Sequence, residues 1–217
     1  MTEIITIAQQ KGGSGKTTLA ANIAIANLLL GRKVAILDTD PQGSLGRWFM
    51  ARCDRLGEDN TGLRFRTASA WGARYEARDL AKENDLVIID TPPKMGVDGR
   101  PAIETANLVI VPVTPSKVDL WATEPTLELA AAERKPAMLV LNRASARTRL
   151  TGEAAENMAK FGVGSASTAI GNRILFAEAM GTGLGVQEMR ASSPAADEVA
   201  RLAHEISGSL KQADLAA

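Results

Sequence analysis

The sequence has little cysteine, no net charge and no long apolar run, and each absence excludes a class of protein. The single cysteine, Cys53, excludes an intrachain disulfide and any metal site built on a pair of cysteines of this chain. No stretch approaches the roughly 18 apolar residues that a membrane-spanning helix requires. The first residues carry no positive charge ahead of an apolar run, so the sequence predicts no secretory signal and favours a cytoplasmic location.

The charges balance, with 25 basic and 25 acidic residues. No overall electrostatic field therefore draws a monomer of this chain onto nucleic acid. The distribution is uneven, because residues 134–173 contain seven basic and two acidic side chains. This excess indicates either a basic face or a solvated surface that is balanced elsewhere, and charge alone does not decide between them.

The chain has 217 residues, of which 45% are apolar and 23% charged, as in a soluble globular protein, and we expect one domain over residues 1–217. Short runs rich in valine and isoleucine predict strands at 4–8, 34–37, 86–89, 108–111 and 138–141. Longer stretches between them predict helices at 16–30, 42–52, 74–82, 120–134 and 152–160. Because the strands are continuously apolar, we expect helices on both faces of a three-layer, doubly wound, mostly parallel α/β sheet.

Three weaker patterns complete the predicted fold. A short strand is expected around residues 64–66, within a polar segment. Ser193 followed by Pro194 has the composition of a helix start, and apolar residues at helical spacing extend the predicted helix to Leu210. The glycine-rich segment 180–189 is predicted to be a mobile loop.

A glycine-rich segment, residues 10–18, follows the first predicted strand and opens the first helix. Its glycines permit a tight turn that points successive N–H groups at an anion, and the helix start adds positive potential at the same point. In such a loop Lys16 would neutralise the β- and γ-phosphates of ATP or ADP, and the Thr17 hydroxyl would ligate Mg²⁺. The predicted nucleotide-binding residues of this segment are Lys11, Gly12, Gly13, Ser14, Gly15, Lys16, Thr17 and Thr18.

The loop departs from the general phosphate-loop motif at two positions. Gln10 stands where that motif has glycine, and a second lysine, Lys11, precedes the glycines. The segment therefore matches the deviant form Lys-Gly-Gly-x-Gly-Lys-Thr.

Three aspartates follow predicted strands and would lie beside this loop. Asp38 and Asp40 end the second strand, and Asp90 ends the strand at 86–89. Ligands of open α/β sheets bind at the carboxyl ends of the strands, so we expect these side chains to lie together. We predict that Asp90 holds a Mg²⁺-bound water, that Asp38 supports the same metal shell, and that Asp40 orients the attacking water.

On these motifs the sequence resembles the ParA/MinD family of deviant Walker-A ATPases, most closely its short ParA proteins. The segments that carry the resemblance are Lys11–Thr18, Asp38–Ser44, Ile89–Pro93, Val111–Ser116 and Leu141–Arg143. The resemblance is strong from residue 1 to about residue 142 and weaker beyond. It implies that Asn142 lies at the nucleotide, next to the loop that recognises the base.

The resemblance also implies a mechanism. Two ATP-bound chains would close into a sandwich homodimer in which Lys11 reaches the partner's ATP, so that Lys11, Lys16 and Asp40 form the catalytic set. A cation arriving from a second subunit would couple slow hydrolysis to dimerisation. The dimer would bind DNA non-specifically on the nucleoid, and a ParB-like or cargo-linked partner would stimulate hydrolysis. The expected task is partition of a plasmid or chromosome, or positioning of a protein cargo.

Some branches of the family are not expected. The sequence lacks the N-terminal helix-turn-helix region of long ParA proteins and the basic C-terminal helix of MinD, so we expect neither operator binding nor a membrane partner. It also lacks the cysteine pair of the nitrogenase iron protein. The candidate DNA contacts are Arg143, Arg147, Arg149 and Arg173.

Two alternatives stay open at this stage. A small-molecule enzyme on the same fold, such as a carboxylate-activating synthetase, would need a substrate region that the sequence does not reveal. A protein that only senses ATP would show no turnover.

Overall fold

The computed structural model describes residues 2–93, 99–145 and 148–216. These residues form one seven-stranded parallel sheet. Its strands are β1 (Glu3–Ile7), β2 (Val34–Asp38), β3 (Leu63–Thr67), β4 (Leu86–Asp90), β5 (Leu108–Val113), β6 (Ala137–Leu141) and β7 (Gly164–Ser165), in the spatial order β3-β2-β4-β1-β5-β6-β7. The predicted parallel α/β sheet is confirmed, and β7 is a strand that the sequence pattern did not indicate.

Helices cover both faces of the sheet. They are α1 (Lys16–Leu29), α2 (Ser44–Leu56), α3 (Ala73–Leu80), α4 (Arg100–Thr105), α5 (Lys117–Ala132), α6 (Arg149–Ala159), α7 (Ile174–Gly181), α8 (Val186–Met189) and α9 (Pro194–Ala216). One face packs against α1, α2 and α7–α9, and the other packs against α3–α6.

The strand sequences are continuously apolar because alternate residues enter two different cores. In β4, Ile88 packs with α1 and α9, whereas its neighbours Val87 and Ile89 pack against α3 and α4. The side chains of a strand point alternately to the two faces of a sheet, so a strand covered on both faces has no polar side.

The order of the strands places a crevice at the end of β1. The chain passes from β1 to β2 and β3 on one side, and later strands extend the sheet on the other side through β5. In open α/β sheets, ligands bind outside the carboxyl ends of the strands at such a switch point. The glycine-rich loop follows β1 at this edge, Asp38 and Asp90 end β2 and β4 there, and Asp40 lies just beyond β2.

The prediction of a mobile loop at residues 180–189 is wrong. This segment contains the end of α7 and the whole of α8, and Leu184 and Val186 are buried. Gly183 has φ 71°, and a Cβ at this position would lie 2.1 Å from the backbone nitrogen of Arg52. Close packing against α2 therefore explains the glycine that the sequence analysis had taken as a sign of mobility.

The C-terminal helix begins as predicted. The Ser193 hydroxyl accepts a hydrogen bond from the Ala196 N–H (3.1 Å), and Pro194 is the first residue of α9. The helix continues to Ala216, six residues beyond the predicted end. Within the part of the chain that the structure describes, none of the helices has the length and apolar character needed to cross a bilayer.

A buried arginine fastens α2 to the segment around α8. The Arg52 guanidinium donates to both carboxylate oxygens of Glu188 (2.8 and 2.7 Å) and to the carbonyls of Gly183 and Thr61. Arg52 is 2% exposed, and its guanidinium lies 5.8 Å from the ring centroid of Trp48. Helix α2 follows the segment that carries Asp38 and Asp40 and lines the same cleft. The ion pair therefore helps to fix the position of α2 beside these aspartates.

We expect Arg52→Ala to lower the free energy of unfolding by about 3–5 kcal/mol, because it breaks a buried ion pair and leaves Glu188 without its cation. Urea unfolding followed by circular dichroism measures this. The matched control is Arg55→Ala, an exposed arginine of the same helix, for which we expect a change within about 0.5 kcal/mol. Equal effects of the two substitutions would contradict the structural importance of the Arg52–Glu188 pair.

Candidate nucleotide-binding site

The glycine-rich loop joins β1 to α1 and has the backbone geometry of an anion-binding turn. Gly13 and Gly15 adopt left-handed conformations, with φ 79° and 90°, and α1 begins directly afterwards at Lys16. At Gly15 a Cβ would lie 2.3 Å from the Asn142 Nδ2 atom. Glycine is therefore required at this position both by its φ angle and by the close approach of Asn142, which directly follows β6.

Asn142 supports the loop from the end of β6. Its Nδ2 donates to the Ser14 carbonyl (2.7 Å), and its Oδ1 accepts from the Arg143 N–H (3.0 Å). The side chain is buried. The residue predicted to lie at the nucleotide thus adjoins the phosphate loop and holds its backbone in place.

Lys16 is folded into the loop. Its Nζ donates to the Gln9 carbonyl (3.1 Å), and the side chain is buried. Burial lowers the pKa of Lys16, and the nearby carboxylates of Asp90 and Asp40 oppose this effect. An anion in the loop would give this desolvated ammonium a stronger partner than one carbonyl oxygen.

Asp90 and Thr17 form the part of the site that suits a divalent cation. The Thr17 hydroxyl donates to Asp90 Oδ2 (2.6 Å). Among the described residues, Asp90 Oδ1 and the Ser14 hydroxyl are buried without a hydrogen-bond partner. Burial raises the pKa of Asp90 to about 7, with a further contribution from the charge of Asp38 that the Thr17 hydrogen bond opposes. A cation at this oxygen would supply the missing partner and favour the ionised carboxylate.

The oxygen ligands around Asp90 suit Mg²⁺, which keeps several of its waters, better than they suit a metal ion that is coordinated by protein side chains alone. Within residues 2–93, 99–145 and 148–216, no group of three or more histidine, cysteine, aspartate or glutamate side chains is arranged to hold an ion. Mg²⁺ commonly keeps several waters and binds one or two protein oxygens together with substrate phosphates. The hydroxyl and carboxylate of Thr17 and Asp90 match that mode.

Asp38 fastens the segment that carries Asp40. Its Oδ1 accepts from the Asp40 N–H and its Oδ2 from the Gly46 N–H, both at 3.0 Å. Burial raises the pKa of Asp38, although these backbone hydrogen bonds oppose the shift. Both oxygens are therefore engaged with the backbone, and the predicted support of a metal shell by Asp38 stays a prediction.

Asp40 stands in a tight turn at the edge of the crevice. Its Oδ1 accepts from the Gln42 N–H (2.9 Å), and its carbonyl accepts from the Gly43 N–H (2.8 Å). The half-buried side chain lines a cleft of about 770 Å³ that also includes Asp38 and Pro93. Because Pro93 also approaches Gly12, this cleft adjoins the phosphate loop.

Lys11 lies against its own chain. Its Nζ forms an ion pair with Asp119 in the first turn of α5, and the Thr114 hydroxyl donates to the other oxygen of the same carboxylate. Asp119 is 2% exposed. Sequence reasoning missed Asp119, whose sole signal was an acidic residue close to the start of a predicted helix. To reach a second subunit, Lys11 would first have to leave this buried carboxylate.

A second cleft, of about 380 Å³, opens on the other side of the loop. It is lined by Gly15, Thr18, Asn142, Arg143, Gly171, Asn172, Arg173, Ile174, Phe176 and Ala177. Arg143 has φ 53°, an uncommon conformation for a residue other than glycine, and its Nε lies 4.0 Å from a Cβ built on Gly15. This arginine therefore extends along the phosphate loop.

The structure describes three of the four arginines predicted to contact DNA. Arg143 and Arg173 line the second cleft, and Arg173 pairs with Glu198. Arg149 is exposed on α6 and pairs with Glu153 (2.8 Å). Arg147 lies outside the described residues.

Comparisons with known proteins agree with this geometry. Residues 5–186 match the family model described as the CobQ/CobB/MinD/ParA nucleotide binding domain. The chain is 31% identical over 218 residues to the maintenance of carboxysome distribution protein A of Halothiobacillus neapolitanus, covering 93% of this chain and 95% of that protein. It is 29% identical over 244 residues to the chromosome-partitioning ATPase Soj of Thermus thermophilus, covering 96% and 97%.

A solved structure shares the fold. The septum site-determining protein MinD of Pyrococcus horikoshii, complexed with Mg-ADP, superposes with a TM-score of 0.79 and 22% sequence identity. The match covers 95% of this chain and 96% of that one.

The raised pKa of Asp90 predicts a pH-dependent stability of the nucleotide-free protein. Between pH 3.8 and about 7 the folded state binds the Asp90 proton more tightly than the unfolded state does, so stability falls as pH rises and levels off above 7. One pKa unit corresponds to about 1.4 kcal/mol, so Asp90→Asn should remove a pH-dependent loss of a few kcal/mol.

Urea unfolding of both proteins at pH 5 and pH 8 measures this difference. Asp59→Asn, at an exposed aspartate, is the control and should follow the original protein at both pH values. The same pH dependence in Asp90→Asn as in the unsubstituted protein would show that Asp90 is not the titrating group.

Proposed function

This chain belongs to the CobQ/CobB/MinD/ParA family of nucleotide-binding proteins and is a ParA-type ATPase, and we propose that it uses a Mg²⁺-dependent ATP cycle to partition DNA or to position a protein cargo. The observation that carries the proposal is the convergence of Lys16, Thr17 and Asp90 on one loop, with a buried carboxylate oxygen that lacks a partner among the described residues. We also propose that residues 1–217 act as a single ParA-like domain.

In this proposal the phosphate loop binds ATP or ADP through the N–H groups of residues 12–18 and through Lys16. Thr17 and Asp90 would hold Mg²⁺, which neutralises phosphate charge when it is bound. Asp40, whose backbone N–H donates a hydrogen bond to Asp38, orients the attacking water. The cleft beside Asn142 receives the nucleoside, because it opens at Gly15 and Thr18, where the phosphate loop joins α1.

We propose that two ATP-bound chains form a homodimer through the carboxyl edge of the sheet. Large apolar side chains are exposed on segments that follow β3 and β5, with Trp71 83%, Val118 53% and Trp121 71% exposed. A contiguous apolar patch is typical of an interaction surface, and in the proposed dimer the partner would cover these side chains. In the dimer Lys11 would exchange Asp119 for the partner's nucleotide and stabilise the charge that develops during phosphoryl transfer.

The dimer presents each basic side chain twice, which favours non-specific binding to DNA. We propose that Arg149 contributes to this binding, because it projects from the outer face of α6. A ParB-like or cargo-adaptor protein would stimulate hydrolysis and release the dimer. The protein would then be cytoplasmic, and associated with the nucleoid while ATP is bound.

We expect Lys16→Ala to lose measurable Mg·ATP binding in calorimetry, since the substitution removes the cation buried in the phosphate loop.

We expect Lys11→Ala to bind ATP but to stay monomeric in light scattering with a non-hydrolysable analogue, because it lacks the cation that would reach the partner's nucleotide. The unsubstituted protein should form a dimer under the same conditions. Lys33→Ala, at an exposed lysine near the opposite edge of the sheet, should behave as the original protein. A strictly monomeric original protein at all concentrations of analogue would refute the proposed dimer.

We expect the ATP-bound protein to retard duplexes of arbitrary sequence in gel-shift assays, and the ADP-bound protein to leave them free. Arg149→Glu should weaken this binding about fivefold and reduce its salt dependence. Arg201→Glu is a matched control, because Arg201 also forms an exposed i,i+4 ion pair, with Asp197 on α9.

If hydrolysis responds to a small carboxylic acid and not to DNA, the synthetase alternative is favoured.

A further inference from the structure

The two walls of the second cleft are held by different parts of the chain. One wall is α1 together with Asn142 and Arg143, which are attached to the phosphate loop. The other wall is the segment 171–174, which follows β7 and continues alongside the end of β6. Ala144 and Gly171 form a single parallel bridge there, and the Asn172 N–H donates to the Ala144 carbonyl (2.9 Å).

A carboxylate from α9 reaches this second wall. Glu198 is buried, and its Oε2 accepts from the Gly171 N–H (3.0 Å). Both of its oxygens accept from Arg173 Nε (3.2 Å), and Oε1 also accepts from Arg173 Nη2 (2.5 Å). One side chain of α9 thus binds the backbone and the arginine of the wall at the same time.

The sequence Gly171-Asn172-Arg173 is adapted to this contact. A Cβ at Gly171 would lie 2.9 Å from Arg173 Nε, so glycine allows the arginine to fold back towards Glu198. The Glu198 hydrogen bond raises the pKa of Arg173. A charged, two-pronged pair of this kind fixes the plane of the guanidinium as well as its position.

Helix α9 also packs against α1, the helix that carries the other wall. Val199, Leu202 and Ala203 of α9 lie in the same buried cluster as Leu19 and Ile23 of α1. Helix α9 therefore contacts one wall through apolar side chains and the other through the hydrogen bonds of Glu198. The Ala144–Gly171 bridge also joins the two walls directly.

We infer that Glu198 is a positioning residue for the nucleoside part of the nucleotide: through the Gly171 N–H and the Arg173 guanidinium it fixes the wall against which the base and ribose bind. Arg173 then belongs to the nucleotide cleft, as the side chain that Glu198 orients. This inference rests on the proposed nucleotide-binding function. It assigns to a C-terminal helix, far from the phosphate loop in sequence, a part in nucleotide affinity.

The test compares Mg·ATP with Mg·tripolyphosphate, because the second ligand has the phosphates and lacks the nucleoside. Glu198→Gln keeps the shape of the side chain and removes its charge. We expect its Kd for Mg·ATP, measured by calorimetry, to rise about tenfold, while its Kd for Mg·tripolyphosphate stays within a factor of two of the original. Arg173→Lys keeps the positive charge without the two-pronged geometry and should show the same selective loss.

Glu205→Gln is the matched control. Glu205 also lies on α9 and accepts hydrogen bonds from the backbone and hydroxyl groups of Ser167 and Thr168, but it does not line the cleft. This variant should bind both ligands as the original does. Thermal unfolding of Glu198→Gln and Glu205→Gln shows whether both remain folded to a similar degree.

Three other outcomes would overturn the inference. An unchanged Kd for Mg·ATP in Glu198→Gln would show that Glu198 does not position the cleft. An equal loss for ATP and tripolyphosphate would indicate a general disturbance of the phosphate loop. Unchanged ATP affinity with tighter DNA binding would mean that Glu198 only masks Arg173 from DNA. If the original protein binds neither ligand, the proposed function itself fails, which is a distinct result.

Discussion

The organisation of the crevice depends on the burial of negative charge at the carboxyl ends of β2 and β4. Asp38 and Asp90 are paired in register on these neighbouring strands, and burial raises the pKa of both. Asp38 relieves its charge with two backbone N–H groups, which fixes the start of α2. Among the residues that the structure describes, the Asp90 carboxylate has only the Thr17 hydroxyl as a hydrogen-bond donor, with Lys16 nearby. In the proposed function, a bound cation and polyphosphate would lower the energetic cost of burying this carboxylate, so ligand binding would be coupled to the local electrostatics.

The sequence predicted those features that contiguous residues encode. Continuous apolar runs gave the central strands, and the glycines and lysines of residues 10–18 gave the phosphate loop. Charged partners distant in sequence could not be predicted: Glu198 lies 25 residues from Arg173, Lys11 lies 108 from Asp119, and Arg52 lies 136 from Glu188. Helical periodicity identifies the buried face of α9, but it cannot name the segment that a carboxylate at the edge of that face will hold.

Lys11 connects the monomer to the proposed dimer through competition for one ammonium group. Asp119 is buried and accepts from Lys11 and from the Thr114 hydroxyl. When Lys11 leaves, the carboxylate keeps one neutral donor and loses its cation, which is unfavourable in a buried position. The interaction with a partner's nucleotide must exceed this loss. A dimer that forms only when a triphosphate is present is the expected consequence, because a diphosphate offers less charge in return.

The basic excess of residues 134–173 illustrates why composition overstates a DNA-binding face. In the structure Arg149 pairs with Glu153, Arg173 pairs with Glu198, and Arg143 extends along the phosphate loop. Three of the seven basic residues are therefore engaged by a carboxylate or lie beside the phosphate loop. Non-specific affinity for DNA grows with the number of phosphates that a protein neutralises, and in the proposed dimer each exposed arginine would be presented twice. In the proposed function, nucleotide-controlled dimerisation would therefore also control attachment to DNA.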